Sequence, residues 1–383
     1  MKNQNFSTLL GVFAFALAFE TFAASSTLGA QPTEGVSNES VMRGLQAYVN
    51  AGKTVGAVAV IVRPEGRFSV KLGEKKLGLR KLPDANTPFQ IGSVSKTFTS
   101  LILSELVLEK RVRLSDPISR FFPEFSELRL YPAGSITLRE LSTHTSGLPR
   151  LPENFRVINQ KDPYANYTVR DLEDELRDPT LLKHVGPYPV NYSNFGAGLL
   201  GYILTRVTGL TYDEMIRARI TRPLGMRDTG ISLSDSQFRR KATGYDDRGN
   251  EVLDWHFHDS LIGAGGIYST LADMTRYMEA QLRPDHSPVG EAIRFSHKLQ
   301  VRGTAKNVGL PPMTDVGLAW ARTVINGQQV IWHNGEVGGF YSFTGMNFST
   351  HTGIEVLTNT ADTAIESCIV SLLVGSECLS ARN

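Results

Sequence analysis

Apolar residues recur at helical and at strand periods in different parts of this chain, and the changes of period outline its elements. Residues 37–51 repeat apolar positions at steps of three and four, which predicts an amphipathic helix. Residues 56–62 are apolar and β-branched, and residues 67–73 alternate with period two, which predicts two strands. Residues 64–66 form the turn between them. The chain should therefore open with a helix and a β-hairpin.

The helical period dominates the middle of the chain, and the strand pattern returns near its end. Helices are predicted directly after residue 92 and at 136–143, 169–182, 197–207, 211–220 and 270–282. Strands are predicted at 316–324, 329–333, 341–348 and 354–359, followed by a helix at 363–374. Short turns between consecutive strands imply an antiparallel sheet, which the N-terminal hairpin can extend.

We therefore predict an α/β (α+β) fold, with an antiparallel β-sheet flanked by the N- and C-terminal helices and a mostly helical inserted domain. Residues 37–100 and 286–383 would form the sheet domain, and residues 101–285 the insertion. The 383 residues are 41% hydrophobic and 20% charged, which suits a globular enzyme. The formal net charge is +2 and the basic residues are scattered, so we expect no nucleic-acid partner.

The first 30 residues have the pattern of a signal peptide. Lys2 precedes an uncharged apolar run, residues 9–19, which is too short for the ~20 residues of a membrane-spanning helix. Small residues follow and offer cleavage sites after Ala23, Ala24 or Ala30. We expect a periplasmic or secreted protein without a stable membrane anchor, the alternative being an uncleaved N-terminal anchor.

The two cysteines, Cys368 and Cys378, lie near the C-terminus. An exported chain could pair them, but Cys368 falls in an apolar helical pattern that suits a buried free thiol equally well. Two cysteines without clustered histidines do not make a zinc site. Because no further ligands lie near His256 and His258, we interpret them as structural and expect no metal and no cofactor.

The first candidate for chemistry is the pair Ser93 and Lys96, which stands at the start of a predicted helix. A spacing of three places both side chains on one helical face. Backbone N–H groups in the first turn can stabilise an oxyanion at Ser93. Burial of Lys96 can lower its pKa from ~10.4 toward the ~7–8 that suits a base. This spacing also occurs by chance as a helix cap beside a solvated lysine, so it needs further support.

Two more segments contain polar residues that can line one active-site cleft together with the first pair. Tyr192 and Asn194 lie two apart on a predicted loop, where both side chains can point the same way. A tyrosine hydroxyl can relay protons when nearby lysines lower its pKa. His333, Asn334 and Gly335 end a predicted strand, and the amide that follows Gly335 can be a second oxyanion donor. Each segment also fits an ordinary turn.

Together the Ser-x-x-Lys, Tyr-Ser-Asn and His-Asn-Gly motifs come in the order found in the penicillin-recognising serine enzymes. The chain resembles the class C β-lactamases and their relatives, the D-alanyl-D-alanine carboxypeptidases and family VIII-type esterases. Residues 89–98 and 114–117 are similar to the class C pattern, and residues 143–149 and 222–226 to the peptidase and esterase branch. The resemblance covers almost the whole predicted mature chain and implies the sheet-plus-insertion fold.

The resemblance also implies a role for each motif residue. Ser93 would be the nucleophile, and Lys96 the base or its electrostatic partner. Tyr192 would relay protons, and Asn194 would orient the lysine and the substrate. The backbone amides of Ser93 and Glu336 would form the oxyanion hole. Whether Lys96 or Tyr192 takes the first proton stays open.

The third motif departs from the class C pattern of lysine, threonine and glycine. His333 and Asn334, which would bind and orient substrate with Gly335, replace the lysine and the threonine. A histidine is mostly neutral at neutral pH, so strong β-lactamase activity is not expected. Histidine stands at this position in related D-alanyl peptidases. Glu336 adds negative charge where a substrate carboxylate would bind, which leaves room for esters or amides.

We therefore predict an exported serine hydrolase that forms an acyl-enzyme on Ser93. D-Alanyl-D-alanine carboxypeptidase or endopeptidase activity on peptidoglycan peptides is the leading hypothesis. A class C-like β-lactamase or a carboxylesterase is the alternative, and a non-catalytic penicillin- or cell-wall-binding protein is a remote one. We expect a monomer whose partner is a small-molecule or peptide substrate.

Overall fold

The computed structural model describes residues 37–378 except for 126–127, 129–131 and 179–188. The predicted signal peptide, residues 1–30, lies outside the described residues. Among the helices that are described, none is long and apolar enough to cross a membrane.

The predicted helices and strands occur in the predicted order, and further short elements that the sequence pattern did not predict lie between them. The helices are α1 Asn38–Asn50, α2 Ser95–Leu108, α3 Leu138–Thr143, α4 Val169–Arg177, α5 Asn194–Thr208, α6 Tyr212–Ile216, α7 Asp235–Arg240, α8 Leu271–Leu282, α9 Pro288–Ser296 and α10 Glu366–Leu373. The strands are β1 Gly56–Arg63, β2 Gly66–Gly73, β3 Pro88–Gln90, β4 Gly244–Tyr245, β5 Glu251–Val252, β6 Tyr268–Thr270, β7 Asp315–Val316, β8 Ala321–Ile325, β9 Gln328–Val337, β10 Phe340–Asn347 and β11 Thr352–Thr358. Of the helix predicted at 169–182, the end lies outside the described residues.

Seven strands form one antiparallel sheet, in the order β2-β1-β11-β10-β9-β8-β7. The N-terminal hairpin joins the C-terminal strands through the pairing of β1 with β11. The predicted mixed fold with a large antiparallel sheet is confirmed. Most helices lie in the stretch of chain between β2 and β7, but the domain boundaries at 100 and 286 stay a prediction.

The sheet is covered on both faces, which explains the unbroken apolar run of β1. Val58 and Val60 belong to the core that packs on the helical part of the chain. Ala59 and Ile61 belong to a second core, shared with α1 and α10. Because side chains alternate between the two faces of a strand, both sets must be apolar here.

The helix α2 is buried along most of its length. It contacts α5, α6 and α9, and a helix that is surrounded on all sides needs no polar face. Its N-terminal end, which carries Ser93 and Lys96, is thereby fixed between the sheet and the helical part.

One predicted strand is wrong in its extent. The run 316–324 is split into β7 and β8, which pair with each other as a hairpin. Between them the chain leaves the sheet, where the N–H of Leu318 donates to the carbonyl of Ser296 and the N–H of Ala319 to that of Ser142. The apolar pattern could not show this break, since the connecting residues are buried as well.

The two cysteines form a disulfide, which settles the alternatives that the sequence left open. The bridge ties α10 to the segment that follows it, and it lies against α1 at Gly44. A Cβ at Gly44 would be 2.6 Å from the Cβ of Cys378, so glycine makes room for the bridge.

Reduction of this disulfide should lower the free energy of unfolding. The bridge joins residues ten apart, and closing a loop of that length is worth about 2–3 kcal/mol through the entropy of the unfolded chain. Urea denaturation of wild type, with and without a reductant, measures the difference. The Cys378→Ser variant is the control, because a reductant should not change its transition. Equal stability of oxidised and reduced wild type would contradict the prediction.

Candidate active site

Ser93 lies in a 3-10 turn, Gly92–Val94, that leads directly into α2. Its two neighbours are buried, whereas Ser93 itself is half-buried. Gly92 has φ of 48°, and a Cβ there would lie 2.9 Å from the backbone nitrogen of Glu336. Glycine is therefore required where the Ser93 turn approaches β9.

Lys96 is buried, with 1% of its surface exposed, and its Nζ has three oxygen partners. The partners lie at 2.9 Å (Oγ of Ser93), 2.8 Å (Oδ1 of Asn194) and 2.7 Å (backbone oxygen of Ala264). The amide and backbone oxygens can only accept, so they take two hydrogens of the amine. In neutral Lys96 the remaining lone pair faces Ser93, whose hydroxyl then donates to Nζ. This is the arrangement of a serine and its base.

Burial favours the neutral form of Lys96. It lowers the pKa of Lys96 well below the ordinary value, and the positive charge of Arg150 lowers it further. The expectation that this lysine is buried with a lowered pKa is confirmed. Arg150 thus influences the site through its charge.

The side chains of Tyr192 and Asn194 both lie beside Lys96, at the start of α5. Ser193 caps this helix, and Asn194 is its first residue rather than part of an extended loop. Asn194 holds Lys96 through its side-chain oxygen and donates from its Nδ2 to the hydroxyl of Tyr164, at 3.3 Å. The ring centroid of Tyr192 lies 4.8 Å from Nζ of Lys96.

The expectation of a lowered pKa for Tyr192 is wrong. Burial raises the pKa of Tyr192 to about 12, although its hydrogen bond with Ser93 and the charge of Arg150 act in the opposite direction. The phenol therefore stays protonated at neutral pH. It can donate and relay a proton, whereas a neutral lysine amine can accept one.

The third motif lies within β9 rather than at the end of a strand. The prediction that a strand ends at His333 is wrong, because β9 continues to Val337 and pairs with β10 throughout. β8 pairs with residues 328–332 of β9, so the edge formed by residues 333–337 faces the Ser93 turn instead of β8. An extended substrate can bind along such an edge.

The pairing of β9 with β10 directs the Glu336 amide toward the Ser93 turn. Val337 and Phe340 close a two-residue hairpin, so Glu336 and Tyr341 form the next, non-hydrogen-bonded pair of the ladder. The N–H of Glu336 therefore points away from β10. The Glu336 nitrogen lies close to the Ser93 turn, and an oxyanion hole made of the Ser93 and Glu336 N–H groups stays a prediction.

Gly335 sets how closely the two backbones approach. A Cβ at this position would lie 2.2 Å from the backbone oxygen of Ile91 and 2.9 Å from the backbone nitrogen of Ser93. Such contacts are far shorter than van der Waals separation, so any side chain at Gly335 must push β9 and the Ser93 turn apart.

We expect Gly335→Ala to lower kcat by about 10²- to 10³-fold, the loss typical of removing one oxyanion donor. The fold should persist, because β9 keeps its pairing with β10. Steady-state kinetics and thermal unfolding measure the two effects. Val324→Ala, on the exposed side of neighbouring β8, is the control and should keep wild-type kcat. A Gly335→Ala variant with wild-type kcat would contradict the predicted oxyanion geometry.

His333 is buried and neutral. Its Nδ1 lies 2.5 Å from the backbone oxygen of Asn334, which can only accept, so Nδ1 carries the proton. Burial lowers the pKa of His333 to about 3. This imidazole therefore cannot supply the charge of a lysine. The side-chain amide of Asn334 donates to a carboxylate oxygen of Glu366 in α10, at 2.7 Å, which fixes its orientation.

A family model described as Beta-lactamase matches residues 41–368. The chain belongs to the beta-lactamase family. It is a serine hydrolase, which agrees with the placement of Ser93 beside a buried lysine.

Three proteins illustrate the range of the relatives. The D-alanyl-D-alanine-carboxypeptidase/endopeptidase AmpH of Escherichia coli strain K12 is 30% identical over 310 residues, which is 78% of this chain and 77% of AmpH. The Protein flp of Staphylococcus aureus strain N315 is 25% identical, over 84% of this chain and 63% of flp. The crystal structure of a class C beta lactamase from Rhodobacter sphaeroides has a TM-score of 0.73 at 20% identity, over 88% of this chain and 99% of that chain. This last likeness shows a shared fold.

Sequence reasoning missed Arg150. Its guanidinium carbon lies 5.4 Å from the ring centroid of Tyr192. Its backbone oxygen accepts from the N–H groups of Asn194 and Phe195, at 2.9 and 3.1 Å. Arg150 directly follows the segment 143–149, whose similarity to the peptidase branch is the signal that could have drawn attention to it.

His144 is a second residue that the sequence did not single out. It ends α3 with φ of 59°, and its Nδ1 accepts the backbone N–H of Ser193 at 3.1 Å. Its ring lies 4.4 Å from the ring of Tyr192. Burial lowers the pKa of His144 well below the ordinary value, so it stays neutral and holds the Tyr192 segment in place.

The structure also places the other histidine pair. His256 contacts Asp162 through Nδ1, at 2.7 Å, and His258 donates from Nε2 to the backbone oxygen of Ala165, at 2.7 Å. Within residues 37–378, outside the gaps, no group of three or more His, Cys, Asp or Glu side chains is arranged to hold a metal ion.

Proposed function

We propose that this protein is an exported D-alanyl-D-alanine carboxypeptidase or endopeptidase that acts on peptidoglycan peptides through an acyl-enzyme on Ser93. The observation that carries the chemistry is the buried amine of Lys96, 2.9 Å from the Ser93 hydroxyl, with its other two positions occupied by oxygens that only accept. The similarity to AmpH over most of both chains supports the substrate class.

Acylation begins when Oγ of Ser93 bonds to the substrate carbonyl carbon and its proton moves to Nζ of Lys96. The carbonyl oxygen takes the electron pair and is held by the backbone N–H groups of Ser93 and Glu336. When the intermediate collapses, the C–N bond breaks, and the proton passes from Lys96 through the hydroxyl of Tyr192 to the leaving amine. Water then attacks the acyl carbon and gives one proton to Nζ of Lys96, the ester bond to Ser93 breaks, and this proton passes from Lys96 to Oγ of Ser93.

Asn194 and the motif of residues 333–335 position the groups that take part in these steps. Asn194 keeps Lys96 in place by accepting one of its hydrogens. Gly335 lets β9 approach, and the edge from His333 to Val337 binds the substrate backbone. Asn334, held by Glu366, keeps this part of β9 oriented. No metal or cofactor takes part in these proposed steps.

A comparison of substrates tests the proposal. The kcat/KM values for a D-Ala-D-Ala peptide, nitrocefin and p-nitrophenyl esters are measured side by side, with release of D-alanine as the direct readout. The peptidase proposal requires D-alanine release that Ser93→Ala abolishes. Ester turnover without detectable D-alanine release would overturn it.

The second candidate is a carboxylesterase or a weak class C-like β-lactamase. Neutral His333 and the exposed carboxylate of Glu336 favour it, because neither side chain attracts a substrate carboxylate. Higher kcat/KM for esters or nitrocefin than for the peptide would support it. The remote alternative, a non-catalytic penicillin-binding protein, requires stable labelling without turnover of any of the three substrates.

Export is a further part of the proposal. Expression of the full chain in a Gram-negative host, followed by osmotic shock and mass spectrometry, should give a periplasmic protein that begins after residue 23, 24 or 30. Recovery of the uncleaved chain in the membrane fraction would overturn the cleaved-signal proposal.

A further inference from the structure

The backbone of Arg150 is held beside the site by the same helix end that positions Asn194. Its backbone oxygen accepts two N–H groups at the N-terminus of α5, from Asn194 and Phe195. Its guanidinium carbon lies 5.4 Å from the Tyr192 ring centroid. The side chain therefore starts from a rigid position and extends along the face of a residue that contacts Ser93.

The basic groups around Tyr192 differ in their access to a ligand. Lys96, His144, His333 and Arg150 all border its ring. The first three are buried, with 1%, 3% and 4% of their surfaces exposed, whereas Arg150 is exposed. Lys96 serves Ser93, and the two imidazoles are neutral. Among these four, Arg150 is the permanent positive charge that a substrate can reach.

A guanidinium in this place suits a carboxylate. Its five N–H donors form a planar fork that can bind both oxygens of a carboxylate. The class C pattern has a lysine on the sheet side of the cleft, but this chain has neutral His333 there. We propose that Arg150, whose guanidinium lies over the Tyr192 ring, binds a carboxylate of the substrate and gives the enzyme a preference for acyl compounds that carry this group near the scissile bond.

The pKa of Glu336 is influenced by the charge of Arg150. The Glu336 side chain is exposed on β9, next to the close approach of Gly335 to the Ser93 turn. Partial desolvation by the surrounding protein raises the pKa of Glu336 to about 7, and the charge of Arg150 opposes this rise, while Asp362 and Asp247 add to it. The charge of Arg150 therefore acts as far as this part of β9. Ionised Glu336 would compete with a substrate carboxylate for Arg150.

This inference rests on the proposed acyl transfer at Ser93, and paired substrates test it. The first pair is an acyl-D-Ala-D-Ala peptide with a free C-terminal carboxylate and the same peptide as the C-terminal amide. The second pair is benzylpenicillin and its methyl ester, with the rate of acyl-enzyme formation read by intact mass. For each pair the acid-to-neutral ratio of kcat/KM, or of acylation rates, is compared between wild type and Arg150→Gln.

We expect Arg150→Gln to lower the acid-to-neutral ratio by about 10- to 100-fold, as for loss of one charge-assisted hydrogen-bonding partner, mainly through KM. Arg150→Lys should keep part of the preference, and Glu336→Gln should raise it. Arg156→Gln is the matched control, because Arg156 is exposed on the same segment and its side chain bonds to the backbone oxygens of Glu153 and Phe155.

The possible results distinguish a failure of the proposed role of Arg150 from a failure of the proposed peptidase function. An equal loss for acid and neutral substrates in Arg150→Gln, or a wild type without preference, overturns the role of Arg150. Wild type that releases no D-alanine but is acylated by benzylpenicillin or its methyl ester would contradict the peptidase proposal. In that case the acid-to-neutral ratio of acylation rates, measured in wild type and Arg150→Gln, still tests the role of Arg150. If neither pair reacts with wild type, both proposals fail. Because the side chain is exposed, the variant should fold, and thermal unfolding checks this.

Discussion

Ser93→Ala should abolish acyl-enzyme formation and lower kcat on the best substrate by about 10⁶-fold, the loss seen when a serine nucleophile is removed from its catalytic group. The variant loses one oxygen atom from a half-buried position, so the fold should be unaffected. Fluorescent penicillin should label wild type and shift the mass of the peptide that contains Ser93, and the variant should remain unlabelled.

The chain offers a matched control for this change. Ser69 is exposed on β2, far along the sheet from β9, and Ser69→Ala should retain wild-type labelling and kcat. A Ser93→Ala variant that is labelled as well as wild type would show that another residue is the nucleophile.

Lys96→Met should lower kcat/KM by about 10²- to 10⁴-fold, the usual contribution of a general base. Methionine keeps the length and the apolar stem of lysine but cannot take the proton of Ser93. It also leaves the oxygens of Asn194 and Ala264 without their donor, so a lower melting temperature should accompany the loss of rate. Lys71→Met, at an exposed site on β2, should change neither property.

The pH profile of wild type distinguishes the base from its neighbours. Lys96 must be neutral to accept a proton, so kcat/KM on a neutral ester should be full above its lowered pKa. It should then fall tenfold per pH unit below that value. His333, with its pKa at about 3, and Tyr192, at about 12, should add no transition near neutral pH. Glu336, with its pKa at about 7, titrates there, so the profile of Glu336→Gln is measured beside that of wild type. A profile for the neutral ester without any acid limb over the pH range in which the protein stays folded would contradict the assignment of Lys96.

Arg150→Gln should move this acid limb to higher pH. The charge of Arg150 lowers the pKa of Lys96, so its removal lets the pKa of Lys96 rise. Paired-substrate ratios for Arg150 are therefore measured on the plateau, where Lys96 is neutral in both proteins. Ratios taken on the limb would mix substrate binding with the titration of the base.

Local sequence was enough to predict the elements that depend on neighbouring residues. The hairpin around residues 64–66 and the placement of Ser93 and Lys96 within one helical turn both involve groups a few positions apart. Such spacings fix which side chains share a face, whatever the rest of the chain does. The break between β7 and β8 escaped prediction because it depends on carbonyls of Ser142 and Ser296, far away in the sequence.

By itself the sequence determined the reactive groups, their order and the mixed fold with an antiparallel sheet. The tertiary structure decided which groups are charged and which atoms face each other. Burial lowers the pKa of Lys96 and raises that of Tyr192, and the length of β9 places the Glu336 amide opposite Ser93. Both depend on desolvation and on strand pairing, which arise from packing between distant segments and leave no local pattern. The position of Arg150 beside Tyr192 was decided in the same way.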